Sequence, residues 1–453
     1  MRIIIGNRFT PIPFLAFLLP LLLSGCLRGY FGGEKKMVTS EIIEVTVPTG
    51  KVKPAVRELP AEKPATEFIK PEPSPPTEEK QLLRQPDPQS PAGIMAEQLP
   101  AFSPPRLQPE VPRSGTAEPA RREVATVRPD FAYRDELLTE DTAWHGVVLI
   151  EGGVIIAPQT TLTVTSGTVV RFRRGAAAVL VVQGRIVVNG SADRPVVFTS
   201  TFDGVAAGDW QGIVLLATGK KNLFEQCRVE GAETGLDASF STVTLKQTFF
   251  AKCRTGARLQ DSHVVMTGGG TGGSGTGLML YDSEVEIRNA DFSGNRVGVS
   301  AARTSLILLA AKLVGNERQA LTAENCRLNI TGNSFTANGS GVSLTGCEGS
   351  VSANRIAKNG DYGLALANSR VKVNGNEIER NDRVGLRVED GKGIAWGNAL
   401  FANGGYELYN AGVEDFRAFG NWWGRDAPAA VVGRIYGRVL YFPVLRARPP
   451  ALP

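Results

Sequence analysis

The chain has 453 residues, 50 Lys+Arg against 45 Asp+Glu, 51 Gly, 28 Pro and only two His. A formal charge of +5 without a dense basic block argues against a nucleic-acid partner. Two histidines 118 positions apart poorly supply Ser-His-Asp chemistry, a Cys-His dyad or a His-rich metal site. Residues 34–130 hold 18 prolines and three glycines, whereas residues 131–453 hold seven prolines and 43 glycines. That divides the chain into one non-globular segment and one long Gly-rich domain.

Arg2 and Arg8 give a positive start, and Phe14–Leu23 is a short apolar run broken by Pro20. Such a run is too short for a ~30 Å hydrocarbon core and reads as an export signal. It ends in Leu23-Ser24-Gly25-Cys26, which resembles the lipobox of bacterial lipoproteins. The resemblance implies a signal peptide over 1–25, cleavage before Cys26, and diacylglycerol and a further acyl chain (palmitate or similar) on that residue. It also implies a lipidated N-terminus over 26–33 in the cell envelope. Leu27 stands where an Asp would suggest inner-membrane retention, so the outer membrane is favoured, with the periplasmic or surface face left open. Residues 34–130, as in Pro71-Glu72-Pro73-Ser74-Pro75-Pro76, bury too little apolar area to offset ordering and read as a disordered tether.

A Gly-apolar-x-apolar unit then recurs: Gly212, Gly235, Gly256, Gly277, Gly298, Ala320, Gly341, Gly363, Gly385 and Gly405 open it at spacings of 20 to 23 residues. Counted from each opening residue, apolar side chains fall at +1 and +3, at +8 and +10, and near +15. Pairs with period two mark short half-buried strands, and three per repeat describe one coil of a parallel β-helix. Asn333, Asn354, Asn376 and Asn398 lie at +13, and Asn295, Asn316, Asn338, Asn359, Asn381 and Asn403 at +18. Stacked at ~4.8 Å, like amides bond coil to coil, and Asn tolerates the left-handed backbone of tight turns, so these ladders are structural. Gly146-Val147-Val148-Leu149 and Gly167-Thr168-Val169-Val170 extend the run upstream, giving about thirteen coils. Trp144 is expected to cover the first coil, and Asn421-Trp422-Trp423-Gly424 with the stretch 435–444 the last.

From about 145 to 445 the chain resembles right-handed parallel β-helix proteins of the pectin-lyase-like class. The Val181 to Ser200 stretch, Trp210-Gln211-Gly212-Ile213, the Asn-Trp-Trp-Gly run and Tyr441-Phe442-Pro443 carry that resemblance. It implies an all-β solenoid over 131–453, akin to carbohydrate-binding and sugar-hydrolase repeats, but function does not transfer with this fold. Lyases and hydrolases of the class carry an Asn-x-Asp with a following Asp-Asp, a His-Gly, or an Asp-Pro-His, and no such motif is expected to mark a site here. Arg370-Val371-Lys372 resembles a basic pair of pectin hydrolases without its acidic partners. Position +7, with Glu348 between Arg327 and Arg370, instead reads as a charge ladder.

The candidate site is a patch at position +5, where Asp261 lies below Asp282 with Arg303 next, and His263, Glu284 and Glu286 project nearby. Stacked acids need a cation, a proton or Arg303. The adjoining Gly268–Gly275 tract replaces both Asn ladders and leaves room for a glycan or a Ca²⁺ ion; the alternative is that Arg303 and solvent satisfy the acids. Cys227 and Cys253 each follow a Phe by three residues, and Cys326 and Cys347 share +6 with Ser241, Ser262, Ser283, Thr304 and Ser369. Neighbouring coils place Cα atoms ~4.8 Å apart, within disulfide range, so small-residue ladders and disulfides both stay open. The expectation is a monomeric, non-catalytic envelope lipoprotein without a resident metal. It would bind a glycan or an envelope protein along the side of the rod. The alternative is a polysaccharide lyase or hydrolase with an unrecognised acidic site.

Overall fold

A computed structural model describes Glu123 and residues 128–173, 178–424 and 431–450. The signal peptide, Cys26 and nearly all of the tether lie outside the described residues. From Phe131 onward the chain winds as a right-handed parallel β-helix of about thirteen coils. All named strand pairs are parallel, and apart from a shift at Gly212/Ile213 they stay in register, as in 263–267 on 284–288 on 305–309. Each regular coil has three strands. The first sheet has fourteen, from Glu136–Leu138 to Ile435–Tyr436. The second and third are typified by Ser305–Leu309 and Lys312–Val314. Alternation sends Leu321, Ala323, Leu328, Ile330 and Phe335 into a continuous core, all nearly or fully buried.

The turns explain why the period holds. Each strand ends on a residue with left-handed backbone: Arg303 at +5 (φ 50), Ala310 at +12 (φ 52) and Gly315 at +17 (φ 65) in one coil. The next residue, at +6, +13 or +18, turns its side chain inward. The asparagines therefore do not supply the left-handed turn, contrary to expectation. They follow it, buried, and bond along the axis. Asn338 Nδ2 donates to Asn359 Oδ1 at 3.0 Å, and Asn359 Nδ2 to Asn381 Oδ1 at 2.8 Å. Each Oδ1 also accepts the preceding coil's backbone N–H, as Asn359 does from Asn338 at 3.1 Å. The second ladder runs from Asn333 through Asn354, Asn376 and Asn398 to Asn421.

Three local readings need correction. Gly268–Gly275 does not interrupt the +18 ladder, because Ser274 takes that place. Its Oγ accepts from Cys253 N at 3.1 Å, and its N–H donates to Asn295 Oδ1 at 3.1 Å. A short hydroxyl does an amide's work here. Gly146 and Gly167 precede strands of the third sheet, 147–150 and 169–172, so they do not open first-sheet units; Gly-apolar runs look alike on all sheets. Finally, Leu408 pairs with Leu386, which puts Glu407, and not Gly405, at the opening position of its coil.

That position favours glycine because a Cβ at Gly385 would lie 2.6 Å from Asn403 Nδ2. Glu407 instead ends the ladder: its buried carboxylate accepts from Asn403 Nδ2 at 2.5 Å and from Arg434 at 2.9 Å. At the other end Trp144 is fully buried and donates from Nε1 to Tyr133 Oη at 3.1 Å. Near the C-terminal end Asn421 terminates the second ladder and Trp423 is buried.

Asn359→Ala would strand the backbone N–H of Asn338 and remove one bond each from Asn338 Nδ2, the carbonyl of Phe335 and Asn381 Oδ1. The first and last of these three keep Leu313 O and the backbone N–H of residue 359 as partners. At about 1–3 kcal/mol for an orphaned buried group and about 1 kcal/mol for each further bond lost, a loss of ~3 kcal/mol is expected in urea unfolding. A loss under ~1 kcal/mol would show that the ladder does not bear on stability.

Candidate functional site

The αL turn at +5 explains the acidic patch. Asp261 and Asp282 have φ of 46° and 49°, and short polar residues are among the few that tolerate this region. Arg303 grips Asp282 with two parallel bonds, Nε to Oδ1 at 2.7 Å and Nη2 to Oδ2 at 2.6 Å. Those bonds hold the Asp282 carboxyl below its ordinary range and push Arg303 up. Asp261 accepts from Gln260 Nε2 at 3.3 Å. His263 Nδ1 lies 3.4 Å from Glu284, and Glu286 bonds Arg288. The six predicted residues thus form neighbouring pairs on one flank and do not converge on a common centre. Among the described residues, no three His, Cys, Asp or Glu side chains gather as a metal site would require. Position +7 behaves as a ladder, with Glu348 in register between Arg327 and Arg370. Contrary to expectation a His-Gly is present: His145-Gly146 sits in the first coil, with the imidazole edge-on to Phe131 at 4.9 Å.

The four described cysteines, Cys227, Cys253, Cys326 and Cys347, are buried free thiols. Cys326 and Cys347 continue the +6 ladder: Thr304 N approaches Cys326 Sγ at 3.5 Å, and Cys326 N approaches Cys347 Sγ at 3.4 Å. Cys227 and Cys253 occupy different columns, against Thr248 and Ser274 respectively, so a bridge between them does not follow from the register. Burial raises their thiols to about 12 and about 11.

A second feature has no counterpart in the sequence reading. On the outer face of the first sheet, the +2 column reads Ser343, Ala365, Arg387, Tyr409 and Tyr436 over successive coils. Beside it, Tyr362, Val384 and Tyr406 form another column. Tyr409 and Tyr436 stack at 4.6 Å with an interplanar angle of 6°, and Tyr406 lies 5.6 Å from each. Tyr436 is 43% exposed, while Arg387 is 9% exposed and lies 3.5 Å from Glu389. Burial raises the Tyr362 and Tyr409 hydroxyls, which keeps them protonated donors. Towards the N-terminal coils the same outward column is apolar, with Leu137, Ile155, Val181 and Val214.

Residues 274–414 match the family model described as the right handed beta helix region, and residues 138–239 match the pectate-lyase like beta helix domain. The chain is a right-handed β-helix protein. Among solved structures it is similar to the periplasmic alginate epimerase AlgG, at 13% identity over 65% of this chain and 77% of that one, with a TM-score of 0.43. It is also similar to the A-module of the Azotobacter vinelandii mannuronan C-5 epimerase AlgE6, at 13% identity over 66% and 91%, with a TM-score of 0.33. A third is the Dettilon tailspike protein gp208, at 10% identity over 64% and 62%, with a TM-score of 0.27. No curated protein sequence matches the chain.

The Asp282 carboxyl is expected to titrate below ordinary Asp in carboxyl-detected NMR, and to return to the ordinary range in Arg303→Ala. Because its folded value is depressed, the pair's contribution is complete above ~4 and is lost as pH falls through that lower value. An unshifted Asp282 would mean that the two side chains are not joined in solution.

Proposed function

We propose that this protein is a lipid-anchored, non-catalytic β-helix of the bacterial envelope that binds a polysaccharide along the outer face of its first sheet. The tyrosine shelf carries the reading. Aromatic rings offer apolar faces with polar rims, and a few placed donors fix orientation, which suits the alternating C–H and hydroxyl surface of a sugar. Coils repeat every ~4.8 Å, a step similar to the advance of one pyranose in an extended chain.

Size separates a glycan from a protein partner. The two columns lie three residues apart and span five and three coils, so the strip is at most about 10 Å by 19 Å, or roughly 200 Å². A stable protein interface buries about 800 Å² per partner. A polymer one sugar wide fits this strip, and a protein surface would have to extend well beyond it. Non-catalysis is supported by the candidate acids: Asp282 is gripped by Arg303, and Glu286 by Arg288, so neither stands ready as a general acid or base. Anchoring through Cys26 rests on the lipobox resemblance.

The test is to incubate the full chain with a panel of neutral and acidic polysaccharides, with and without Ca²⁺, recording binding and new reducing or unsaturated ends. Binding without product is expected. Product formation would replace this reading with the lyase or hydrolase alternative, and silence in both channels would remove the glycan.

A further inference from the structure

Resting on that reading, we infer that the shelf takes an uncharged glycan and discriminates against polyuronates. The observation is charge pairing. Three guanidiniums border the tyrosines, and each faces a carboxylate: Arg387 with Glu389 at 3.5 Å, Arg383 with Asp361 at 3.7 Å, and Arg434 with Glu407 at 2.9 Å. Just beyond Tyr436, Arg438 is bonded to Asp415 at 2.8 Å. A cleft that recruits a polyanion presents cations in excess, because their summed field raises the local concentration of ligand. Here each positive charge is cancelled within one contact, and the arginines serve to position.

The rest of the shelf is neutral. The Tyr362 hydroxyl is held by Ser343 and Ser340, so it is satisfied within the protein. Ala365, Val384 and Ser343 are buried and offer no contact. The groups left to contact a ligand are therefore the rings and hydroxyls of Tyr406, Tyr409 and Tyr436. Bringing a carboxylate-bearing sugar onto them would desolvate an anion against carboxylates that already hold the local guanidiniums. Strands spaced at ~4.8 Å also keep successive tyrosines in step with successive sugars, so affinity should rise with chain length until about four sugars are seated.

The experiment measures binding of the full chain to dextran, amylose and a soluble mixed-linkage β-glucan as neutral probes. Alginate and polygalacturonate serve as acidic probes, all at 50 and 500 mM NaCl. At least one neutral polymer is expected to bind with less than twofold change between the two salts, and the acidic polymers to bind at least tenfold more weakly. Tyr409→Ala and Tyr436→Ala should each lower affinity at least fivefold. Tyr409→Phe, which keeps the stack and loses the hydroxyl, should fall between them and the parent. Thermal melts identify any variant that fails to fold; Tyr436, on the terminal strand and 43% exposed, serves where Tyr409→Ala does not. Salt-sensitive binding of the acidic polymers alone overturns this inference and leaves glycan binding standing. Neutral binding that folded tyrosine variants leave unchanged places the ligand elsewhere and also overturns it. No binding to any polymer overturns both.

Discussion

The structure depends on one repeated device: a left-handed pivot followed by an inward polar side chain that accepts the preceding coil's backbone N–H. A parallel β-helix must turn three times per coil, and each sharp turn would otherwise leave a buried N–H without a partner. At +6 this acceptor is Ser, Thr or Cys, at +18 it is Ser or Asn, and at +13 Asn serves over the last coils. Because each acceptor serves the coil before it, a change in coil length would break three columns together. That is why spacing drifts by only a residue or two. One longer step, between Gly212 and Gly235, is absorbed by a register shift at Gly212/Ile213.

Most of this was legible because period and burial coincide. Apolar pairs separated by two, repeated at a near-constant interval, admit few other folds, and Asn338 and its equivalents announce their column by identity. The pivots were not legible. Ala310, Lys358, Arg380 and Gly315 all take left-handed backbone, so no residue type marks them. Asn was credited with that conformation because its own tolerance of it is general, whereas here its neighbour bears the strain. Ser274 and Glu407 were missed for a related reason. Each performs the column's chemistry, or stands at its place, with a side chain of another class. A pattern read by residue identity passes over such substitutions.

The candidate site shows what the sequence could and could not reveal. Asp261 and Asp282 were visible as stacked like charges, and the resolution through Arg303 was among the stated alternatives. A parallel β-helix brings residues one period apart within a strand spacing, so an uncompensated acid on its surface is costly, and charge columns tend to alternate. Acidic pairs in such a repeat are therefore poor markers of chemistry until their partners are known. The shelf had the opposite problem. Tyr362, Arg387, Tyr406, Tyr409 and Tyr436 come from several coils and two repeat positions, and Tyr436 lies in the last, least periodic coil. Only the register of Arg387 on Tyr409 on Tyr436 makes them one surface.

The same logic says where a ligand is to be sought. Columns on the second and third sheets bear charged residues whose partners lie one coil away, such as Glu348 with Arg370 and Glu377 with Arg355. Those faces are occupied by interactions of the rod with itself. On the first sheet the outward column shifts from aliphatic at Ile155 and Val181, through small polar side chains at Ser300 and Thr322, to aromatic at Tyr409. Ion pairs interrupt this column only at Asp237 with Arg258 and at Arg387 with Glu389; its aliphatic, small polar and tyrosine positions carry none. The shelf begins at the tenth first-sheet strand, nine spacings or about 40 Å from the first. The aromatic strip thus lies over the C-terminal coils, where the outward column of the first sheet exchanges aliphatic side chains for stacked rings.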